Sequence, residues 1–473
     1  MSNDLKAPLI QKLRQAAEIE QQFMCMYLYG AYSLKKRYID KQFKPSEFAD
    51  LEMVRRWCSM LYTVARQEME HLALANNLLR SIDAAPYFAR ENLPFSSDLK
   101  ASSALQNLHM GAEISGHPGE LIPIDFPFEF TSANLNAFKA WTCMEAPDAE
   151  TLKQQDANQF AHWCFKEPQS AQSNLLQQQE IGAGTIAQLY DDIALMFEGL
   201  SDSDFVIPSQ QQVEIIQQYD IYVFPVSGVT SALQAIDLIV KQGEGNRSSI
   251  GFQSHYRRFF EIVQEYDSLS IGFEPCWDLL KDPVAEDIEL EETRAFFNVV
   301  NESYEMLLVI LTGLYASVNQ QPGQAPYMAP ALGQEAFGPM MTMVVRSLSE
   351  VLVQLKVSSQ NSRRTGPSFH IGSELMNALL QPVEGIDAAS QTVGGHCLKR
   401  EFRDMDAIVS RFEQFKKNLE VIQISPEMMA NPELFTWAEE RVNYIRANVE
   451  RIQQNLQRIY QFGILKTFAT EGY

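Results

Sequence analysis

Three polar side chains stand where a helical sequence should be apolar. Glu20 falls within the row Leu13, Ala17, Glu20, Met24, Tyr27, Ala31 and Leu34, spaced 4-3-4-3-4-3. Glu68 falls within Val54, Cys58, Leu61, Ala65, Glu68, Leu72, Ala75 and Leu79, spaced 4-3-4-3-4-3-4. Such rows face a bundle core. His71, three residues after Glu68, lies on the same side one turn away. A lone carboxylate in a dry core is costly unless it is neutralised, paired or bound to a metal. Two such acids and a histidine are explained together if they share a cation. The Glu-x-x-His spacing is weak evidence by itself, and its position on a buried row gives it weight. The other reading is a buried Glu–His or Glu–Arg pair, with Arg14 or Arg66 as the arginine.

The second half offers matching residues. Leu233, Ile236 and Val240 lead along a fourth helix to Glu244, and His255 lies on the row Phe252, His255, Phe259, Ile262 and Tyr266. Bundle metal sites draw carboxylates and Glu-x-x-His pairs from facing helices, and oxygen-rich donors suit iron or manganese. Glu20, Glu68, His71, Glu244 and His255 form such a set, with iron as one or two ions or manganese in its place. Structural zinc prefers closed Cys/His tetrahedra. Tyr27, two turns beyond Glu20, is placed to donate to a ligand carboxylate or to bound oxygen; as a core aromatic it needs no such role.

The elements that must position these residues are helices, since few stretches alternate with a period of two. After the first two helices, residues 86–130 carry five prolines and read as an irregular crossover. Further helices are expected at 175–200, 229–243, 252–266, 293–319 and 336–357, with 270–290 as a linker or loop and 358–395 as an ordered loop or lid. A hairpin closes the chain over 398–465. One arm carries Met405, Ile408, Phe412, Phe415, Leu419 and Ile422; the other runs from Phe435 to Ile459 in the same 3-4 rhythm. Seams of this kind pair helices within one chain or between two copies, so monomer and homodimer are both compatible. The expected division is a metal-binding bundle over 1–270 and a helical extension over 271–473.

Composition narrows the partners. Sixty acids against 38 Lys and Arg leave a net charge of −22, which repels nucleic-acid phosphates and anionic membranes. The longest apolar run, Met306–Val318, is too short to span a bilayer. The first twenty residues lack a signal-peptide core, and six scattered cysteines without a CxxC pair fit reduced thiols, so a cytoplasmic location is expected. Arg363 and Arg364, before Thr365-Gly366-Pro367, could hold a substrate carboxylate or form a solvated turn.

The stretches AAEIEQQFMCMYLYGAYSLKK and VARQEMEHLALANNLLRSIDAAP resemble the first two helices of the ferritin-like domain of iminophenyl-pyruvate dimer synthases, enzymes of bisindole biosynthesis. HPGELIP, FKAWTCMEAP, TIAQLYDDI, SGVTSALQAIDLIVKQGEG, SHYRRFFEIV and RRTGPSF follow as weaker matches in order. The resemblance implies an all-α, ferritin-like four-helix bundle with added C-terminal helices, and redox chemistry at a non-haem iron site. Glu20, Glu68 and His71 match its ligand positions; Glu244 and His255 fall in matching segments. Gln188 stands where the third helix of the family tends to carry an acid, and Phe252 where an acid could precede His255. These departures imply one iron or an asymmetric pair.

The expected function is a non-haem iron-dependent oxidase or oxygenase that uses dioxygen on a small organic substrate, for instance an amino-acid derivative, in specialised metabolism. The competing expectations are an iron-oxidising or metal-handling protein without an organic substrate, and a metal-free helical interaction protein.

Overall fold

A computed structural model describes residues 3–37, 40, 43–94, 122–123, 128–145, 165–166, 186–207, 209, 212–218, 221–243, 254–317, 329–380, 405–429 and 432–470. The fold is all-α, a ferritin-like four-helix bundle with additional C-terminal helices. The strands described are two short antiparallel pairs, 122–123 with 165–166 and 215–218 with 221–223.

Two long helices, α1 (Asn3–Ser33) and α2 (Phe48–Ser81), form the first half of the bundle. Their 3-4 rows interlock, and every position on those rows is buried, Glu20 and Glu68 included. Glu20 meets Glu68 and His71, while Ala31 O accepts from Cys58 Sγ at 3.7 Å, so the two helices run antiparallel.

The other half of the bundle is built from four described helices, α3 (Leu135–Met144), α4 (Ile186–Glu198), α5 (Val229–Gly243) and α6 (His255–Tyr266). α3 packs on α6, and α4 packs on α5 and α1. α3 begins at Asn134, whose side chain accepts from Ala137 N, and α6 begins at Ser254, which caps Arg257 N in the same way. Gly30 of α1 lets α3 come close: a Cβ there would lie 2.4 Å from the Trp141 ring. Glu145, just past the end of α3, and His255, the first residue of α6, lie at the level of Glu20 and Glu68. Side chains from four helices therefore meet at one height.

The C-terminal helices cover the other side of the α1–α2 pair. They are α7 (Glu291–Ser317), α8 (Ala329–Glu335) running through a π-helical stretch (Ala336–Val345) into α9 (Arg346–Leu352), α10 (Ser373–Leu380), and the hairpin of α11 (Met405–Val421) and α12 (Phe435–Thr470). Pro339 has no N–H for the helical ladder and sits inside the π stretch. The hairpin arms pair within the chain along the anticipated rows, from Ile408 to Leu419 and from Ala438 to Leu456.

Several expectations change. α3 forms in a region without an anticipated helix. α4 begins at Ile186, and the stretch 175–185 lies outside the described residues. The segment 358–395 contains a helix, α10. Of the two readings of 270–290, linker or loop, the structure shows a loop tied into the core: Leu279 bridges to Arg364 and Leu34 to Cys276. Arg364 is 3% exposed, lies 3.3 Å from the Trp277 ring centroid and donates to Gln354, so it is a structural residue; Arg363 pairs with Asp278. Among the described residues, Cys25, Cys58 and Cys276 are free thiols. No described helix is long and apolar enough to cross a membrane.

Glu350 of α9 fastens the C-terminal layer to the bundle. Lys36 Nζ and Arg346 Nε each lie 3.1 Å from its Oε1, and Tyr62 donates to the same oxygen at 3.0 Å. Burial alone would raise this carboxyl, but Lys36, Arg346 and Arg37 outweigh it and hold it well below the usual range. The stability it contributes is therefore present above the unfolded value, about 4.3, and is lost as pH falls toward the folded one. Glu350→Gln is expected to cost about 2 kcal/mol at pH 7, less than a fully buried pair because Arg346 is 40% exposed. Urea unfolding at pH 7 and pH 3.5 checks this, since the gap between wild type and variant should shrink at the lower pH.

Candidate metal centre

Five ionisable side chains converge between α1, α2, α3 and α6. α1 supplies Glu20, α2 supplies Glu68 and His71, the C-terminal end of α3 supplies Glu145, and the first residue of α6 is His255. None is more than 4% exposed. They form two groups that share Glu68: Glu20, Glu68 and His71, and Glu68, Glu145 and His255, with ligand atoms within 4.8 Å of one another in each group. His71 Nδ1 lies 3.2 Å from Glu20 Oε2 and 3.2 Å from Glu68 Oε2. His255 Nδ1 lies 3.0 Å from Glu68 Oε1 and 3.5 Å from Glu145 Oε1. The two imidazoles stack with centroids 5.6 Å apart.

The outer nitrogens of both rings face amides. His71 Nε2 lies 2.9 Å from Gln242 Oε1, and His255 Nε2 lies 3.2 Å from Gln67 Oε1. An amide oxygen only accepts, so each Nε2 carries the proton. In a neutral ring this leaves the Nδ1 lone pair pointing at carboxylate oxygens, which suits a cation between them. Glu68 Oε1 and His255 Nδ1 are buried without a hydrogen-bond partner although they are 3.0 Å apart. Their directions do not suit a mutual bond. Their separation does suit adjacent ligands of one ion, because two donors at about 2.1 Å and a right angle are about 3.0 Å apart.

Without a metal the charges press on one another. Burial raises the Glu20 carboxyl to about 7, with His71 opposing. Burial would lower His255, but Glu68 and Glu145 outweigh it and lift the imidazole to about 9; His71 is raised in the same way by Glu20 and Glu68. Glu68 is lowered despite its burial, because His255 and His71 flank it. Two phenols finish the cluster. Tyr190 of α4 donates to Glu20 Oε1, and Tyr27 of α1 donates to Glu145 Oε1 at 2.5 Å. Phe23, Trp141 and Phe259 pack around the Tyr27 ring and keep water from this side.

Of the anticipated donors, Glu20, Glu68, His71 and His255 are brought together; Glu244 and Phe252 lie outside the described residues. Gln188 is exposed on α4, so the third-helix position nearest the centre is not 188. Tyr190, two residues on, points inward instead. Glu145 was missed. Its signal was present: Phe138, Trp141 and Glu145 continue a 3-4 row that ends in an acid, as the rows of α1 and α2 enclose theirs. Neither Arg14 nor Arg66 pairs with these carboxylates. Arg14 lies over the Tyr87 ring, and Arg66 reaches Thr63.

Comparison with known proteins gives three findings. The chain is 22% identical over 416 residues to dichlorochromopyrrolate synthase of Lentzea aerocolonigenes, an alignment that covers 77% of this chain and 36% of that protein, so the chain spans little more than a third of its relative's length. A ferritin-like protein from Caulobacter vibrioides of known crystal structure aligns at 18% identity with a TM-score of 0.39, covering 69% of this chain and 93% of that one. The family model described as Ferritin-like matches residues 13–264, which contain all five converging side chains and more than half of the sequence. The chain belongs to the ferritin-like family.

Proposed function

We propose that this protein is an oxygen-dependent non-haem iron oxidase or oxygenase that acts on a small organic substrate in specialised metabolism. The observation that carries the reading is Glu68: its two oxygens each face an inward-turned histidine nitrogen, and one of these contacts lacks hydrogen-bond geometry. Glu20, Glu68 and His71 would hold one ion; Glu68, Glu145 and His255 would hold a second. Three carboxylates and two imidazoles suit iron, and manganese would fit the same donors. Among the described residues the set has one acid fewer than the full ferritin-like arrangement of two lone Glu residues and two Glu-x-x-His pairs. Dichlorochromopyrrolate synthase, by its name a biosynthetic enzyme, supports an enzymatic reading and an organic substrate.

The bound metal would supply one-electron chemistry with dioxygen. The chain's own residues orient and insulate. Gln242 and Gln67 hold the outer imidazole protons and so turn Nδ1 inward. Tyr190 and Tyr27 each donate to an oxygen of a lateral carboxylate, fixing its rotamer and tempering its charge. The aromatic packing excludes water from reactive chemistry.

Anaerobic titration of metal-free protein with ferrous iron tests the proposal. The expected result is saturation at about two equivalents, one per acid–histidine group, followed by dioxygen uptake. Protein that retains no iron after desalting would sink the reading.

A further inference from the structure

A cavity of about 690 Å³ lies between the α1–α2 pair and the C-terminal helices. That is within the range of sites that enclose an organic ligand of drug size. One wall is the second face of α2, the row Arg55, Ser59, Tyr62, Arg66, Met69 and Ala73, spaced 4-3-4-3-4. Leu307 and Leu311 of α7 stand opposite, with Phe337 and Met341 of the π-helical stretch. π-helical turns are costly and concentrate at functional sites, and this one presents its side chains to the cavity.

Two polar atoms belonging to these walls have no partner among the described residues. Gln21 is fully buried; its Nε2 donates to Tyr304 Oη at 2.8 Å, and its Oε1 is left unbonded. Arg66 has a buried Nε without a partner, and its one hydrogen bond, through Nη2, goes to Thr63 Oγ1 at 3.4 Å. The other cations of the rim are matched: Lys36 and Arg346 by Glu350, and Arg55 by Glu52. Arg66 is therefore the rim cation that touches no carboxylate among the described residues, at the edge of a mostly apolar chamber, in a chain whose net charge is −22. Leaving a guanidinium nitrogen dry and unbonded is expensive, and an anion on the ligand removes that cost.

We infer that this cavity is a binding site for an organic monocarboxylate with a large apolar body, its carboxylate held by Arg66. A hydroxyl or N–H on the occupant would satisfy Gln21 Oε1. Met24, Ala65 and Leu72, which flank Glu20 and Glu68 on their own rows, also face the cavity, so the occupant would lie close behind the acid–histidine cluster. The inference goes beyond the metal reading and does not require it, because binding is measured on metal-free protein.

The apolar body could be a flexible chain or a fused ring. Calorimetric titration with hexadecanoate and with 4-(pyren-1-yl)butanoate separates the two, and hexadecan-1-ol serves as the uncharged control. At least one carboxylate should bind with a Kd below roughly 0.1 mM. Arg66→Gln should weaken it about tenfold or more and leave the alcohol unaffected. Leu311→Trp, which fills the chamber, should abolish binding, with thermal melting used to confirm that both variants are folded. If neither carboxylate binds, or if folded Arg66→Gln and Leu311→Trp bind as well as wild type, the inference is wrong.

Discussion

Glu68→Ala is expected to abolish iron retention altogether. Each of the other four converging residues belongs to one acid–histidine group; Glu68 belongs to both. Its loss leaves one carboxylate and one imidazole on each side, too few to hold a metal against water and buffer. Dioxygen uptake should fall by at least about 10³-fold, the equivalent of several kcal/mol of metal-supplied stabilisation. The variant also leaves His71 and His255 buried with less compensating charge, so its fold must be checked by circular dichroism and melting. Glu68→Gln keeps the shape and one carbonyl acceptor, and it should also fail to retain iron. If folded Glu68→Gln binds two equivalents, Glu68 does not join the two groups through metal.

Glu145→Ala should separate the two groups. Iron retained after desalting should drop from about two equivalents to about one, because Glu20, Glu68 and His71 remain. Oxidation should fall by about 10²-fold or more if both ions are needed. Gln188→Ala provides the contrast. Position 188 is where the family resemblance points, but its side chain is exposed on α4, and a surface substitution there should stay within about 0.5 kcal/mol in stability. Iron content and dioxygen uptake in Gln188→Ala should match wild type. The reverse pattern, with full iron in Glu145→Ala and loss in Gln188→Ala, would relocate the third-helix ligand.

The two outcomes bear on how the centre was legible. Glu20, Glu68 and His71 could be found because α1 and α2 are long and uninterrupted. Over thirty residues, a 3-4 rhythm identifies the buried side, and an acid on that side stands out. His255 could be found for the same reason, although its helix is only twelve residues long. Glu145 sits at the end of a ten-residue helix in a stretch where no helix was anticipated, too short for its rhythm to stand out. Tyr190 was hidden differently. Its helix was anticipated, but a phenol on an apolar row is usual in a core, and only the approach of α4 to α1 shows that it meets Glu20.

The chain's own order of residues determined which face of each long helix turns inward, which acids share that face, and that the whole would be helical. Those properties are local: they follow from a rise and twist repeated every few residues. The tertiary structure decided the rest. It placed the end of α3 and the start of α6 at the height of Glu20 and Glu68, brought Glu145 across 77 residues of sequence to the side of His255's partner, and buried Arg364 on Trp277. It also left a chamber behind α2 with Arg66 on its wall. These outcomes depend on how separate helices pack, and no period within a single helix encodes which neighbour it will meet.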